Sequence, residues 1–352
     1  MKSLYDPTRD EIATILEGEP KYRLDQLWTG LYTHFKRPID ISNLPAALRT
    51  RIESELPESL IEIRRETSED GDTVKFLWHL LEGQHPIETV LMYYDDRATV
   101  CVSTQAGCAM ACGFCATGQA GFNRHLSTGE IVEQVVRSAR EAALRDRRID
   151  NIVFMGMGEP LANEEAVWGA VERLHEDIGI SARHLTISTV GIIPGIKTLT
   201  KRPLPVNLAV SLHAARNELR NELVPINTRY PLEDLMDTCR TYLFEKRRRV
   251  TFEWALISGV NDTDRDAREL AGLCLDLSPA AHVNLIPLNP TPGWPTVGSS
   301  PARVAAFQRL LRDLGVNATV RQNRGTEIAA ACGQLAAGQP VSVGIRNSRE
   351  RD

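Results

Sequence analysis

Three cysteines, Cys108, Cys112 and Cys115, follow a C-x3-C-x2-C spacing in a segment rich in glycine and alanine. This composition predicts a loop, and a loop can wrap thiolates around a metal centre, for which zinc and iron–sulfur are suited. A structural zinc site uses four closed ligands, and no second pair of ligands follows at a suitable distance. Three thiolates on a four-iron cluster leave one iron open. The spacing therefore favours one 4Fe–4S cluster per chain.

The chain beyond this loop alternates between apolar, β-branched segments and helical segments, which predicts a parallel sheet covered by helices. Predicted strands lie at 98–103, 152–155, 184–188, 206–210, 250–256, 282–286 and 317–320, and predicted helices at 128–145, 163–177, 194–201, 231–247, 262–276 and 301–314. These make about six or seven units, fewer than the eight of a closed barrel. We therefore predict an α/β fold with a partial (β/α)6-type barrel and a mouth wide enough for a large substrate.

Chemistry on such sheets lies where the strands end. Gly156–Pro160 follows one strand, and its glycines allow close backbone approach to a ligand. Glu159 is suited to bind a ligand ammonium, although a tight turn with a surface glutamate is an equally good interpretation. Other strand ends carry Ser188, Ser211, Leu212, His213 and Asn289. We expect these residues to meet at one edge of the sheet.

Residues 1–93 predict a small accessory domain, followed by a core at 94–335 and a tail at 336–352. The helices of the accessory domain are predicted at 8–17, 21–35 and 44–54, and its strands at 61–66, 73–80 and 87–93. Its many cations indicate either a solvated surface or an RNA-docking domain.

Glu88 shares a face of its predicted strand with Val90 and Met92, because side chains alternate along a strand. A carboxylate on an apolar face can become a general base. The sequence alone favours the other interpretation, an edge-strand glutamate that points to water.

The composition of the chain limits the classes of protein to which it can belong. Hydrophobic residues make up 42% of 352 residues, and the net charge is −5. No segment approaches the roughly 18 apolar residues of a membrane span, and the start lacks a signal-peptide pattern. We expect a cytoplasmic protein without membrane contact, whose seven cysteines serve metal or redox chemistry. The acidic balance argues mildly against a nucleic-acid binder but allows a local basic face.

Three further cysteines lie outside the loop and its preceding strand. Cys332 follows a run of alanines, and a cysteine in that setting is usually a buried small hydrophobe. Cys239 and Cys274 receive the same interpretation.

The cysteine spacing resembles that of the radical S-adenosylmethionine (SAM) superfamily, in which the open iron binds SAM and cleaves it to a 5′-deoxyadenosyl radical. Six segments together resemble the RlmN family of radical SAM adenosine-C2 methyltransferases of 23S ribosomal RNA and transfer RNA. They are VCVSTQAGCAMACGFCATGQAGF, FMGMGEPLAN, ISTVGIIPGI, SLHAARNELRNELVPIN, NLIPLNPTPGW and RGTEIAAACGQL. The resemblance covers about 86–336 strongly and the N-terminal region more loosely. The presence of Cys101 and Cys332 narrows the resemblance from the superfamily to this family and its C8-methylating Cfr relatives.

The resemblance implies a role for each matching residue. It assigns the cluster to Cys108, Cys112 and Cys115, and SAM binding to Gly158, Glu159, Ser188, Ser211, Leu212, His213 and Asn289. Cys332 accepts a methyl group from a first SAM, and the radical from a second SAM abstracts hydrogen from it. The methylene radical adds to adenine. Cys101 then attacks the sulfur of Cys332 in a transient disulfide, and Glu88 removes the ring proton.

The resemblance also implies partners: 23S ribosomal RNA, transfer RNA and an electron donor such as flavodoxin, with the enzyme a monomer. We expect RNA contacts from Lys246–Arg249, Arg216, Arg220 and the N-terminal cations. Three alternatives stay open: a Cfr-type C8 methyltransferase, a radical SAM enzyme acting on a protein or small molecule, and a non-enzymatic, metal-stabilised RNA-binding protein with Cys101 as a fourth metal ligand.

Overall fold

The computed structural model describes residues 3–277, 281–289, 297–322, 324–331 and 333–335. Cys332 and the predicted tail lie outside the described residues. Three short helices come first, close to their predicted bounds: α1 (Arg9–Ile15), α2 (Tyr22–Tyr32) and α3 (Ala46–Glu55). A capping box between Thr8 and Glu11 begins α1.

Twelve strands follow in the described chain. They are β1 (Leu60–Thr67), β2 (Thr73–Leu80), β3 (Pro86–Tyr93), β4 (Ala98–Cys101), β5 (Gln105–Gly107), β6 (Phe122–His125), β7 (Asn151–Phe154), β8 (Leu185–Thr189), β9 (Asn207–Ser211), β10 (Val250–Leu256), β11 (Ala281–Pro287) and β12 (Ala318–Val320). Ten of them form one sheet in the order β1-β2-β3-β4-β7-β8-β9-β10-β11-β12, and β5 pairs with β6 separately. Strands β1 to β4 are antiparallel neighbours, whereas β4 and β7 to β12 are parallel.

Helices alternate with the parallel strands. They are α4 (Ala116–Gln119), α5 (Thr128–Ala143), α6 (Glu164–Glu176), α7 (Ile193–Lys201), α8 (Asn217–Leu223), α9 (Leu232–Lys246), α10 (Asp264–Leu275) and α11 (Pro301–Asp313). Within the ranges given above, β1 and β12 are the two edges of the sheet and do not pair, so the barrel is open. The prediction of an α/β partial barrel is confirmed. None of the described helices combines the length and apolar character needed to cross a bilayer.

Alternate positions of the parallel strands build the core beneath the helices. Ile187, Leu208, Phe252 and Val283 are at most 1% exposed and belong to one apolar cluster. This pattern is expected of parallel strands that are covered by helices. Positions between them on β8 to β11 carry polar side chains, including Ser188, Ser211, Glu253 and Asn284. The sequence thus makes one face of this sheet dry and the other suited to hold a polar ligand.

The N-terminal region is fixed to the barrel by hydrogen bonds. The Gly129 N–H at the start of α5 donates to Asp6 Oδ1 at 2.8 Å, and Arg173 donates to the Tyr32 hydroxyl at 2.7 Å. The predicted domain boundary at 93/94 falls between β3 and β4, which are hydrogen-bonded neighbours. The accessory strands therefore extend the barrel sheet.

Glu133 on α5 holds the beginning of β1. Its carboxylate accepts hydrogen bonds from the Ser59 N–H at 2.6 Å, the Ser59 hydroxyl at 2.7 Å and the Leu60 N–H at 3.2 Å. Burial raises the pKa of Glu133 to about 7, and these donors oppose the rise only in part. The folded chain therefore keeps this proton up to a higher pH than the unfolded chain does.

We predict a pH-dependent stability difference between the native chain and Glu133→Gln. Because the pKa is raised above its ordinary value of 4.5, the contribution is complete below that pH and is lost as the pH rises through 7. The native free energy of unfolding should fall relative to that of the variant by up to about 3 kcal/mol between pH 4.5 and 8. Urea titrations along this pH range measure it.

The control is Glu176→Gln, which changes an exposed carboxylate on α6 and should keep the native pH dependence. If the free energy of unfolding depends on pH equally in the native chain and in Glu133→Gln, the raised pKa is wrongly assigned to Glu133.

Candidate active site

A cavity opens at the carboxyl ends of the parallel strands. Nine predicted site residues line it: Cys108, Cys112, Cys115, Gly158, Glu159, Ser188, Ser211, His213 and Asn289. Leu212 does not, because its side chain is fully buried in the apolar core. Since parallel strands end at one edge of a sheet, residues distant in sequence meet here.

The cysteine loop is clamped at its base by β5 and β6. The Cys108 N–H donates to the Gly121 carbonyl oxygen at 2.8 Å. Gly107 has a φ of +78°, and a Cβ there would lie 2.0 Å from the same oxygen, so only glycine fits. At the other end of the triad, the Cys115 N–H donates to the Cys112 carbonyl at 3.2 Å. These backbone bonds fix where the three thiols point.

Two of the three thiols, those of Cys108 and Cys112, resist ionisation in the protein alone. Burial raises the pKa of Cys108 to about 12 and that of Cys112 well above its ordinary value, and neighbouring thiols add to the rise. Across the described part of the chain, no three His, Cys, Asp or Glu side chains are placed to hold a single metal ion. A metal centre deprotonates the thiols that bind it, and a four-iron cluster binds each thiol through a different iron. The donor set therefore fits a cluster better than zinc.

Cys101 does not line this cavity, which disfavours the alternative in which it is the fourth metal ligand. It lies in a second cavity that adjoins the first through Cys115 and Gly333. Ala331 and Gly333, the sequence neighbours of Cys332, also line the second cavity. Cys332 itself lies outside the described residues, so its pairing with Cys101 stays a prediction. No disulfide joins any two of the six cysteines that the structure describes.

The end of the described chain is bonded to the cysteine loop. The Ala116 N–H donates to the Gly333 carbonyl at 2.9 Å, and the Thr117 hydroxyl donates to the Leu335 carbonyl at 2.6 Å. Both donors follow Cys115 directly in sequence. Residues on the C-terminal side of position 332 are thus held beside the third cysteine of the triad.

Glu159 connects two strand ends. It is 2% exposed, so its interpretation as a surface glutamate is wrong. Its Oε1 accepts the Leu161 N–H at 3.0 Å, and its Oε2 accepts the Val190 N–H at 2.8 Å. Burial raises the pKa of Glu159 to about 7 against the effect of these donors. Both oxygens are therefore engaged before any ligand ammonium arrives.

The glycines beside Glu159 allow close packing within the chain. A Cβ at Gly156 would lie 2.7 Å from the Val102 backbone, and one at Gly158 would lie 2.6 Å from the Gln105 Cβ. Gln105 Oε1 in turn accepts the Glu159 N–H at 2.8 Å. The close approach predicted for these glycines therefore includes the segment that leads into the cysteine loop.

Arg220 hydrogen-bonds to the backbone just after the ends of β8 and β9. Its guanidinium donates to the carbonyls of Val190 at 2.6 Å and Leu212 at 3.1 Å, and to Asn227 Oδ1 at 2.7 Å. Burial lowers the pKa of Arg220 to about 10. Because the side chain is fully buried, the expectation that Arg220 contacts RNA is wrong.

The structure also shows where the other cations expected to bind RNA lie and what they contact. Arg216 is paired with Asp266 at 2.6 Å and with Glu269 at 2.8 Å. Lys246–Arg249 comes directly before β10, at the edge of the sheet opposite the cavity. Most N-terminal cations bond to neighbours; Arg65, for example, pairs with Glu62 and Glu141.

His213 is a neutral hydrogen-bonding group at the cavity wall. Its Nδ1 accepts the Ala255 N–H at 3.0 Å, so its ring proton lies on Nε2. Burial lowers the pKa of His213 to about 3. Its ring lies 4.6 Å from that of Phe114, edge to face. This contact links the end of β9 to the cysteine loop.

Glu88 lies on an interior strand and is 2% exposed, so the interpretation as an edge-strand residue facing water is wrong. Lys75 Nζ lies 3.4 Å from Glu88 Oε1 and 2.9 Å from Glu66 Oε2. Val90, two residues after Glu88, is the register partner of Cys101. Glu88 and Cys101 therefore face the same side of the sheet.

Sequence reasoning missed Lys75 and Glu253. Both interrupt predicted apolar strands, which is the signal that singled out Glu88. Lys75 is 4% exposed on β2, and Glu253 is 4% exposed on β10 and lines the first cavity. It also missed Arg321, which follows β12 and lines both cavities.

Comparison with known proteins gives consistent results. Residues 102–271 match the family model of the radical SAM superfamily. A relative from Chloroflexus aurantiacus, named "Probable dual-specificity RNA methyltransferase RlmN", is 48% identical over 97% of this chain and 94% of its own. A relative from Myxococcus xanthus, named "Dual-specificity RNA methyltransferase RlmN 1", is 47% identical over 95% of this chain and 94% of its own. The crystal structure of a radical SAM methyltransferase from Sphaerobacter thermophilus superimposes with a TM-score of 0.92 at 47% identity, covering 96% of this chain and all of that one.

We predict that Lys75→Met destabilises the fold, because it leaves the buried Glu88 carboxylate without this cation. Removal of one partner of a buried ion pair costs about 3–5 kcal/mol, and half-buried Glu66 should bring the loss toward the lower value. Lys75→Met/Glu88→Gln should be more stable than Lys75→Met alone. Urea unfolding of the three proteins measures the difference.

Lys197→Met is the matched control, since Lys197 is exposed on α7 and should change stability little. If the double variant is no more stable than Lys75→Met, the pair does not have the proposed energetic role.

Proposed function

Because this chain belongs to the RlmN family of dual-specificity RNA methyltransferases, we propose that it methylates carbon 2 of adenine in 23S ribosomal RNA and in transfer RNA. The observation that carries this proposal is the cavity at the strand ends. The three loop cysteines and six of the seven strand-end residues expected to bind SAM, all except Leu212, line that cavity together. A radical SAM RNA methyltransferase is the activity that this combination supports best.

The proposal assigns the 4Fe–4S cluster to Cys108, Cys112 and Cys115. It assigns SAM to Gly158, Glu159, Ser188, Ser211, Leu212, His213 and Asn289. Bound together, cluster and SAM supply carbon-radical reactivity, which is required because carbon 2 of adenine is not nucleophilic. Leu212 contributes through its backbone, since its side chain lies in the core. His213 offers its Nε2–H as a neutral donor.

Three other residues act on the methyl group and on the base in this proposal. Cys332 carries the methyl group, and Glu88 takes the proton from the adenine ring. Cys101 attacks the sulfur of Cys332 as a thiolate. The sulfur–sulfur bond forms as the carbon–sulfur bond breaks, and the electron pair of the broken bond stays on the product carbon, which takes up a proton to complete the methyl group. The second cavity supports the places of Cys101 and Cys332, because Cys101 and both sequence neighbours of Cys332 line it and it adjoins the cysteine triad. The support for Glu88 is the face of the sheet that it shares with Cys101.

RNA is proposed to approach the second cavity. Arg321, Arg324 and Tyr94 line it, and the Arg324 guanidinium lies 4.4 Å from the centre of the Tyr94 ring. Arginine and tyrosine suit the stacking of an unpaired base, which is the usual target of sequence-specific RNA recognition. A monomeric, cytoplasmic enzyme that receives electrons from a flavodoxin-type donor completes the proposal.

We predict that anaerobically reconstituted protein, given SAM and a reductant, converts adenine to 2-methyladenine in fragments of 23S ribosomal RNA and in transfer RNA. Mass spectrometry of the digested nucleosides measures the product and its position. Cys112→Ala should lack the cluster and the product. Methylation at carbon 8 would favour the Cfr-type alternative, and methylation of neither RNA would contradict the proposal.

We predict that Cys332→Ala abolishes methylation and keeps the absorbance of the cluster, because this residue carries the methyl group without binding iron. Cys274→Ala is the control, since Cys274 is buried on α10 and lines neither cavity; it should stay active. Loss of the cluster absorbance in Cys332→Ala would contradict the assigned role.

A further inference from the structure

The first cavity contains two buried carboxylates that differ in their bonding. Glu159 has a backbone N–H on each of its two oxygens. Glu253 has one protein donor: its Oε1 accepts the side-chain N–H of Asn284 at 2.9 Å. Its Oε2 is buried and has no hydrogen-bond partner among the residues that the structure describes. Buried polar atoms in folded proteins are nearly always hydrogen-bonded, so this oxygen requires an explanation.

The strand register fixes where Glu253 points. On β10, Phe252 and Trp254 are fully buried in the apolar core, so Glu253 between them faces the opposite side. Its register partners are Ser211 on β9 and Asn284 on β11. Ser211 lines the cavity as Glu253 does. The carboxylate therefore lies in a polar row across three adjacent strands, on the side where a ligand binds.

The charges around Glu253 restrict what can approach Oε2. Burial raises the pKa of Glu253, whereas Arg321 lowers it. Within the described chain, Asn284 is the residue that hydrogen-bonds to this carboxylate. Arg321 nevertheless lines the same cavity, and its charge disfavours a second cation nearby. A neutral donor, either a hydroxyl or an aromatic amine, fits this position better than an ammonium.

We propose that Glu253 Oε2 accepts a hydrogen bond from the adenosyl group of SAM. The inference rests on the proposed function, which puts SAM in this cavity. The adenosyl group has three neutral donors, the two ribose hydroxyls and the exocyclic amine of adenine. Each would satisfy an oxygen that the chain leaves unpaired, and an unmade bond to a buried charged group is costly. Glu253 thus adds a contact with the adenosyl group to the SAM contacts already assigned, and Glu159 differs from it in also joining two strand ends.

The test is calorimetric binding of S-adenosylhomocysteine to the oxidised, cluster-loaded protein, without turnover. Glu253→Gln keeps an oxygen for Asn284 but places an NH₂ group where Oε2 stands, so a donor faces the ligand donor. Binding should weaken about 10- to 100-fold. Glu222→Gln, which changes an exposed carboxylate on α8, should bind as the native protein does.

Three analogues identify the donor: S-adenosylhomocysteine without the 2′-hydroxyl, without the 3′-hydroxyl, and without the exocyclic amine. The native protein should bind one of them at least about 10-fold more weakly than the parent. Glu253→Gln should bind that analogue and the parent within about 2-fold of each other. The analogue series on the native protein is decisive even if the variant does not fold.

Native affinity in Glu253→Gln overturns the inference, as does a native protein that binds all three analogues like the parent. Either result leaves the proposed function intact. If the native, cluster-loaded protein does not bind S-adenosylhomocysteine at all, the proposed function fails and this inference fails with it.

Discussion

Desolvation of two loop thiols, those of Cys108 and Cys112, is the constraint on which the site depends. Both thiols lie in the cavity wall, where burial raises their pKa and opposes ionisation, and a metal centre deprotonates the thiols that bind it. Before the metal centre binds, uncharged thiols give the cysteine loop no ionic interactions, so other bonds must hold its conformation. The clamp between β5 and β6 provides this at the base, where Gly107 packs against the Gly121 carbonyl. The bonds from Ala116 and Thr117 to the C-terminal segment provide it at the far end.

Two buried charged side chains shape the other wall, and both act on the end of β8. Glu159 accepts the N–H of Val190, and Arg220 donates to the carbonyl of the same residue. Backbone groups satisfy Glu159, and backbone carbonyls together with Asn227 Oδ1 satisfy Arg220, so neither needs a partner of opposite sign. Strand ends leave such groups unpaired, and a ligand site requires some of them to stay open. Arg220 and Glu159 determine which of these backbone groups are already hydrogen-bonded and which remain open to a ligand.

The sequence was sufficient to predict the alternating elements, because apolar periodicity and helix caps are local signals. It was also sufficient to group the residues that line the first cavity, because parallel strands end together. It did not predict β5 and β6, since strands of three or four residues give little periodicity. The bonding of single charged residues was not predictable either. Arg220 was expected on the surface and Glu88 on an edge, and both are buried because of partners distant in the chain.

The antiparallel strands carry two residues of the proposed site, Glu88 and Cys101. β3 pairs with β4, and this register puts Glu88 and Cys101 on one face of the sheet. β2 adds Lys75 to the same face beside Glu88. A boundary between β3 and β4 would therefore separate the proposed base from the proposed thiol. Because a hydrogen-bonded sheet transmits register from strand to strand, a slip of one residue in β3 would turn Glu88 away from Cys101. The extension of the barrel sheet by β1 to β3 is thus what puts Glu88, the proposed base, on the same face of the sheet as Cys101 at the end of β4.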